Sequence, residues 1–277
     1  MKLPVKIPLS VVMITLNAGR TLKKALESVA GWADEIVLVD SGSTDATLSI
    51  ARSFTDRIIY RKFDGFGAQK GFAINQARHD WVLVLDADEV VSAQLAAEIA
   101  DLFAHGSPTS AGYALPRNLI FLGRVLRFSG QNRQPVLRLF NRRQGGMTPV
   151  AVHESIQVDG PVGQLSGILL HDSYGSLHDY VLKMNHYTTL SAEEMALRHK
   201  KATVGLQGLR FLFTFVKIYF FKGGLLDGYP GFTWALLSAV YPVIKYSKLQ
   251  ELQDETEKPA TRPEIVFDWE ESRHSAA

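Results

Sequence analysis

Glu35-Ile-Val-Leu-Val-Asp40-Ser-Gly-Ser-Thr-Asp45 decides the class of fold. A β-prone apolar run ends in an acid and is cut off by a Ser/Gly/Thr cluster. Residues 46–52 then read as a helix, with Ser43 or Thr44 available to cap it. The cadence repeats on either side. Leu9–Leu16 reads as a buried strand broken by Asn17-Ala18-Gly19, with a helix from Thr21 to Ala30. Arg57–Tyr60 is a third strand, Gly67–Ala77 a helix and Trp81–Leu85 a fourth strand. Strands alternating with helices predict a mostly parallel sheet covered on both faces. Ligands of such sheets bind beyond the carboxyl ends of the strands. Asn17, Asp40, Asp45, Asp86 and Asp88 all fall at those ends, so they are expected to converge on one crevice.

The fourth strand runs into three carboxylates, Asp86-Ala87-Asp88-Glu89. Because a strand alternates its side chains, Asp86 and Asp88 are expected on the same side. Carboxylates that close repel unless a cation lies between them or one stays protonated. Hard oxygen donors suit Mg2+ or Mn2+, particularly with a diphosphate completing the coordination. A plainer reading has Asp86 capping the next helix and Asp88 in solvent.

Composition is that of an ordinary globular chain: 277 residues, 46% hydrophobic and 21% charged. The absence of cysteine excludes disulfides, zinc thiolate sites and cysteine nucleophiles. Met1-Lys-Leu-Pro-Val-Lys-Ile-Pro8 has no long apolar core, so no signal peptide is expected. Between Leu102 and His153 there is no Asp or Glu, yet there are seven arginines, at 117, 124, 127, 133, 138, 142 and 143. Planar bidentate donors without neighbouring acids suit phosphate or carboxylate partners. A solvated basic face is the alternative.

Four motifs occur in order: Val12-Met-Ile-Thr-Leu-Asn17, Val39-Asp40-Ser-Gly-Ser-Thr44-Asp45, Gln69-Lys70 and Leu85-Asp86-Ala-Asp88. Arg138-Leu-Phe140 and Val152-His153-Glu154 follow. Together they resemble the inverting family 2 glycosyltransferases of GT-A fold, most closely the bacterial lipopolysaccharide core β-1,4-glucosyltransferases, over roughly residues 8 to 250. The resemblance implies an α/β nucleotide-diphospho-sugar transferase fold with a C-terminal helical, amphipathic extension. It implies a catalytic domain at 1–175 (nucleotide half about 8–105, acceptor half about 106–175), a helical extension at 176–250 and a polar tail at 251–277. It implies nucleotide contacts from Thr15, Asn17, Asp40, Ser43, Asp45, Lys70 and Asp86, with Asp40 accepting from the base and Asp45 supporting its loop. It implies Mg2+ or Mn2+ held chiefly by Asp88, with Asp86 near ribose and metal and a distal His171 completing the site. Helix capping by Asp40 and Asp45, a solvated Lys70 and a structural His171 are the plainer alternatives. The family branch often has Asn after the Gln-Lys pair; here Gly71 stands in its place, so no side chain reaches the donor from that position.

Inverting transfer needs a base for the acceptor hydroxyl. Glu154 matches that role in related enzymes, and His153 is the other candidate; pairing of Glu154 with an arginine is the structural alternative. Arg117, Arg133 and Arg138 are expected to bind phosphates or acidic sugars of the acceptor. The implied reaction moves one sugar, glucose from UDP-glucose being the first choice, onto a lipid-linked saccharide such as the lipopolysaccharide inner core. A polyprenyl-phosphate acceptor or a catalytically silent nucleotide-sugar-binding module are the alternatives. No Gln-x-x-Arg-Trp segment supports processive synthesis, and the aromatic residues near the arginines form no stacking pattern for nucleic acid.

Residues 176–201 carry helical periodicity, and two apolar, aromatic-rich segments follow at 209–221 and 228–244. The first contains Arg210 and Lys217. The second is uncharged for 17 residues but contains Pro230 and Pro242, so no membrane-spanning helix is expected. Flanked by Lys217, Lys222, Lys245 and Lys248, the pair reads as an interfacial anchor on an anionic membrane surface, or else as a buried helical hairpin. The expected location is cytoplasmic, peripheral on the inner face of the cytoplasmic membrane. Beyond Gln250 the chain turns acidic and reads as a mobile tail.

Overall fold

The computed structural model describes residues 6–104, 106–148, 155–201 and 204–257. The first half follows the predicted alternation: β1 (Ile7–Thr15), α1 (Leu22–Ala30), β2 (Ala33–Asp40), α2 (Thr47–Arg52), β3 (Ile58–Tyr60), α3 (Phe66–Asn75) and β4 (Trp81–Val84). Next come β5 (Glu89–Val91), α4 (Ala93–Ala104), β6 (Gly112–Phe121), β7 (Arg124–Val125), β8 (Gln134–Asn141), β9 (Gly145–Met147), β10 (Ile156–Val158), β11 (Val162–Gln164) and β12 (Leu169–His171). Three longer helices end the described chain: α5 (Leu177–Leu197), α6 (Gln207–Val216) and α7 (Gly228–Glu257).

The main sheet runs β3-β2-β1-β4-β8-β6-β12-β5. Its first four strands are parallel. β8 is antiparallel to both β4 and β6, while β12 is parallel to β6. The carboxyl ends of β1, β2, β4, β6 and β12 therefore share one edge.

Alternation along the strands explains why both faces are buried. Leu9, Val11 and Met13 of β1, Leu38 of β2 and Leu83 of β4 enter one core cluster with Leu22, Leu26 and Val29 of α1. Val12, Val37, Val39, Val82 and Val84 enter the other with Ala73 and Ile74 of α3. Helix α1 meets its face because Leu22, Ala25, Leu26 and Val29 follow the helical period.

Under the parallel strands, Glu35 is buried and accepts from Ser10 Oγ, from the Arg57 guanidinium and from the Arg78 N–H at 2.6 Å. Burial pushes its pKa up, but the bonds from Ser10, Arg78 and Arg57 outweigh that and hold it below the ordinary 4.5.

The chain divides into two compact units, one reaching to Val181 and including Phe215–Leu236, the other formed by Leu182–Thr214 and the residues from Leu237 onward. In the first, Phe121, Tyr174, Tyr180 and Trp234 form an edge-to-face aromatic cluster. In the second, Lys248 Nζ donates to Asn185 O and Oδ1, both at 2.7 Å, to Thr188 Oγ1 at 2.9 Å and to Thr189 Oγ1 at 2.7 Å. Lys248, expected beside lipid, thus faces α5: four acceptors on one helix turn outcompete solvent for the ammonium. No helix among the described residues is long and apolar enough to cross a membrane.

Three boundaries differ from expectation. Neither Ser43 nor Thr44 caps α2; Asp45 accepts from the Thr47 N–H at 2.9 Å instead. Helix α5 stops at Leu197, before the basic Arg198–Lys201 cluster. Helix α7 passes through Pro242 and continues to Glu257, into the segment expected to be a tail, whose remaining residues lie outside those described.

Truncating a fully enclosed strand residue tests the two-faced core: Leu83→Ala should lower the unfolding free energy by about 2–5 kcal/mol, measured by urea denaturation. Glu35 supplies an acid-sensitive contribution. Its depressed pKa stabilises the fold above the ordinary value of 4.5, and this is lost as pH falls below it. The urea midpoint should drop on acidification from pH 5 to pH 3, by less in Glu35→Gln than in the unaltered chain.

Candidate active site

Two loops at the carboxyl ends of β1 and β2 are stitched together by side chains. Asp40, buried at the end of β2, accepts from Thr15 Oγ1 at 2.8 Å and Ser43 Oγ at 2.5 Å, and from the N–H groups of Gly42 and Ser43 at 2.9 and 2.8 Å. Burial alone would raise its pKa, but the bonds from Ser43, Gly42 and Thr15 hold it lowered. Gly42 reaches φ +102°, a conformation its missing Cβ permits. Across the gap, the Asn17 N–H donates to Ser43 Oγ at 2.9 Å, and Asn17 Oδ1 accepts from the Thr44 N–H at 2.9 Å. Asp45 accepts from the Gly19 N–H at 2.9 Å and from Thr47. Thr15, Asn17, Asp40, Ser43 and Asp45 are therefore held as one hydrogen-bonded unit. Both Asp40 oxygens are occupied in shaping the loop, so a direct contact to a base would exchange one of these bonds. A cleft of about 490 Å³ opens beside Asp40, lined among others by Leu48, Arg52, Asp56, Ile58 and Tyr60.

At the end of β4 the acids take separate partners. The strand stops at Val84, so the strict alternation that would put Asp86 and Asp88 side by side is lost in the following turn. Asp86 lies between Lys70 Nζ, 2.8 Å away on α3, and the Arg138 guanidinium on β8. Arg138 also donates to Glu89 at 2.8 Å. Glu89 is fully buried, accepts the Asp86 N–H at 3.1 Å and has Arg117 of β6 at 3.6 Å. The result is a continuous chain of alternating charge, Lys70–Asp86–Arg138–Glu89–Arg117. Burial works against ionisation of Asp86, but Arg138 and Lys70 outweigh it and hold its pKa well below the usual carboxylate range.

Asp88 lies beside a histidine. His171, the last residue of β12, brings Nε2 within 3.4 Å of Asp88 Oδ2, and the same nitrogen meets Ser173 Oγ at 2.6 Å. The pairing of β12 with β5 fixes this approach, since His171 stands opposite Glu89 and the Asp172 N–H donates to Asp88 O at 2.8 Å. Arg20, from the loop after β1, clamps Asp172 through its carboxylate at 2.9 Å and its carbonyl at 2.7 Å. Among the described residues no three His, Asp or Glu side chains converge as a self-sufficient metal site.

The arginines expected to act together are dispersed. Arg138 is internal, Arg117 lines the same charge chain, and Arg133 is exposed with its N–H donating to Asn118 Oδ1 at 2.8 Å. Arg143 pairs with Asp80 and Arg142 with the His79 carbonyl. His153 and Glu154 lie outside the described residues. Their flanks are joined, the Thr148 N–H donating to Ser155 O at 2.8 Å, and Met147 of β9 packs near Gly71 of α3.

Four further residues shape the site. Glu89 belonged visibly to the carboxylate cluster, and Gln69 to the Gln-Lys pair; its Nε2 donates to Ser41 Oγ at 2.9 Å and to Arg61 O at 3.0 Å. Nothing local marked Arg20 or Ser173. Removing Arg138 should be costly because it strands buried acids: Arg138→Leu is expected to lower the unfolding free energy by about 3–5 kcal/mol. Urea denaturation checks this, and a loss below 1 kcal/mol would contradict the charge chain.

Comparison with known proteins gives the family of the chain. Residues 10–147 match the glycosyl transferase family 2 profile. The chain is 32% identical over 257 residues to the lipopolysaccharide core biosynthesis glycosyltransferase LpsC of Rhizobium meliloti (strain 1021), covering 89% of this chain and 93% of that protein. It is 29% identical over 256 residues to an uncharacterised glycosyltransferase of Rickettsia typhi, covering 88% and 87%. Among solved structures, S. aureus TarS 1–349 in complex with UDP-GlcNAc is similar at 14% identity and a TM-score of 0.44, over 91% of this chain and 92% of that one. The chain therefore belongs to glycosyl transferase family 2 and is a glycosyltransferase.

Proposed function

We propose that this enzyme transfers a single sugar, with inversion, from a nucleotide diphosphate donor to a lipid-linked saccharide of the lipopolysaccharide-core kind, at the inner face of the cytoplasmic membrane. The observation that carries the reading is two pairs near the carboxyl ends of β4 and β12, Lys70 with Asp86 and Asp88 with His171. Cations there suit a diphosphate, and the adjoining loop of Asn17, Asp40 and Ser43 suits a nucleoside. The cleft bearing Tyr60 beside Asp40 offers an aromatic wall for a base. Similarity to LpsC supports the acceptor class. UDP-glucose is the first donor to try.

Asp88 and His171 fit a divalent ion. Their facing atoms are 3.4 Å apart, close to the roughly 3 Å separating neighbouring ligands around Mg2+ or Mn2+. With only two protein donors, diphosphate oxygens would complete the coordination. When bound, the ion supplies positive charge where the leaving group becomes more negative.

The protein's own residues supply the rest. Lys70, held by Asp86, keeps its ammonium beside the diphosphate position. Glu154 accepts the proton of the acceptor hydroxyl, with His153 as the second candidate. As the new bond forms from that oxygen to the anomeric carbon, the bond to the diphosphate breaks and its electron pair leaves with the nucleoside diphosphate. Arg117 and Arg133 would meet acidic groups of the acceptor; Arg138 acts through Asp86 and Glu89.

A panel of nucleotide sugars assayed with and without Mn2+ tests this reading. Transfer should be lost in chelator and restored by Mn2+, and undiminished activity in chelator would remove Asp88 and His171 as ligands. Glu154→Gln should lower kcat by about 10²–10⁴-fold with donor affinity retained; near-normal turnover would remove Glu154 as the base.

A further inference from the structure

The segment between α6 and α7, with the first turn of α7, turns its apolar side chains outward. Phe221 is 83% exposed, Tyr229 70% and Leu226 68%, with Phe220 and Leu225 more than half exposed beside them. Such a cluster is costly in water unless something covers it. It is also fixed in place. Asp227 accepts from the N–H groups of Arg127 and Phe128 at 2.9 and 3.1 Å and from Ser129 Oγ at 2.8 Å. The Ser129 N–H donates in turn to Lys222 O at 2.8 Å. The turn after β7 is thereby held against the apolar segment, and half-exposed Phe128 joins the patch.

That clasp also sets the charge. Asp227 is the one acid between Ala202 and Gln250, and none occurs between Leu102 and His153. Its carboxylate is turned onto the turn's backbone, while Arg124, Arg127 and Lys222 of the same two elements are exposed. Protruding phenylalanine and leucine side chains ringed by cations, with the local acid withdrawn, combine the two signals of stable membrane association: apolar insertion and attraction to anionic headgroups. No described helix can span the bilayer, so the contact is interfacial.

We infer that Phe128, Phe220, Phe221, Leu225, Leu226 and Tyr229, with Arg124, Arg127 and Lys222 around them, form a docking surface for an anionic lipid bilayer. The inference rests on the membrane-located part of the proposed function and gives it a specific surface. It also separates Arg124 and Arg127 from the buried arginine Arg138.

The test uses the full chain and sedimentation with vesicles of phosphatidylcholine, with and without phosphatidylglycerol, in the absence of donor and acceptor. The unaltered chain should bind the phosphatidylglycerol vesicles, less tightly at high salt. Phe221→Ser with Leu226→Ser should weaken binding by at least about tenfold. Arg124→Gln with Arg127→Gln should abolish the preference for phosphatidylglycerol. Both pairs alter exposed side chains, so thermal unfolding midpoints should not move. Undiminished binding by both pairs would overturn the surface while leaving membrane location standing. Failure of the unaltered chain to bind any vesicle would overturn both. A dimer seen by light scattering and dissolved by the Phe221 and Leu226 substitutions would show that a second copy covers the patch.

Discussion

Arg138 is the side chain on which the rest of the site depends. It sits on β8, the first antiparallel strand after the parallel half of the sheet, and reaches Asp86 beyond β4 and Glu89 on β5. Lys70 on α3 and Arg117 on β6 close the ends of the charge chain. Elements from both halves of the sheet are thereby tied at one edge. A buried charge with its partners in place is tolerable, while one deprived of them is expensive. The five groups consequently constrain one another's positions more firmly than any pair would.

That constraint separates the roles of the acids after β4. With Asp86 held between two cations, the acids after β4 divide: one fixes the scaffold and the other faces His171. The Arg20–Asp172 pair ties the segment after β12 to the loop after β1. The loops after β1 and β2 obey the same logic. Asp40 and Asp45 spend their oxygens on backbone N–H groups and hydroxyls, so the loops meet a ligand already shaped and lose less entropy on binding.

How much of this was legible in the sequence varies from residue to residue. The strands and helices of the nucleotide half were legible because one sheet with two buried faces imposes a short repeating vocabulary: apolar strand, small polar turn, helix. Asp40, Asp45 and Asn17 could be placed together because each follows a strand of that sheet. Ser43 and Thr44 were read as available caps, but their hydroxyls are engaged by Asp40 and Asn17, and Asp45 accepts from Thr47 instead. The arginine run was legible as a demand for anionic partners but not as to which ones; Arg138 finds them inside the protein and Arg124 faces solvent. Lys248 illustrates the same limit, because a lysine flanking an apolar helix reads alike whether it meets lipid or the carbonyl and hydroxyls of a neighbouring helix.

By itself the sequence determined the alternating strands and helices of the first half and the family of chemistry, because periodicity and motif order are local. Tertiary structure alone decided which acid serves the scaffold and which faces the histidine. Arg20 and Asp172 are 152 positions apart, and Arg127 and Asp227 are 100 apart. Pairings at such range follow from strand order and register, and no local pattern encodes them.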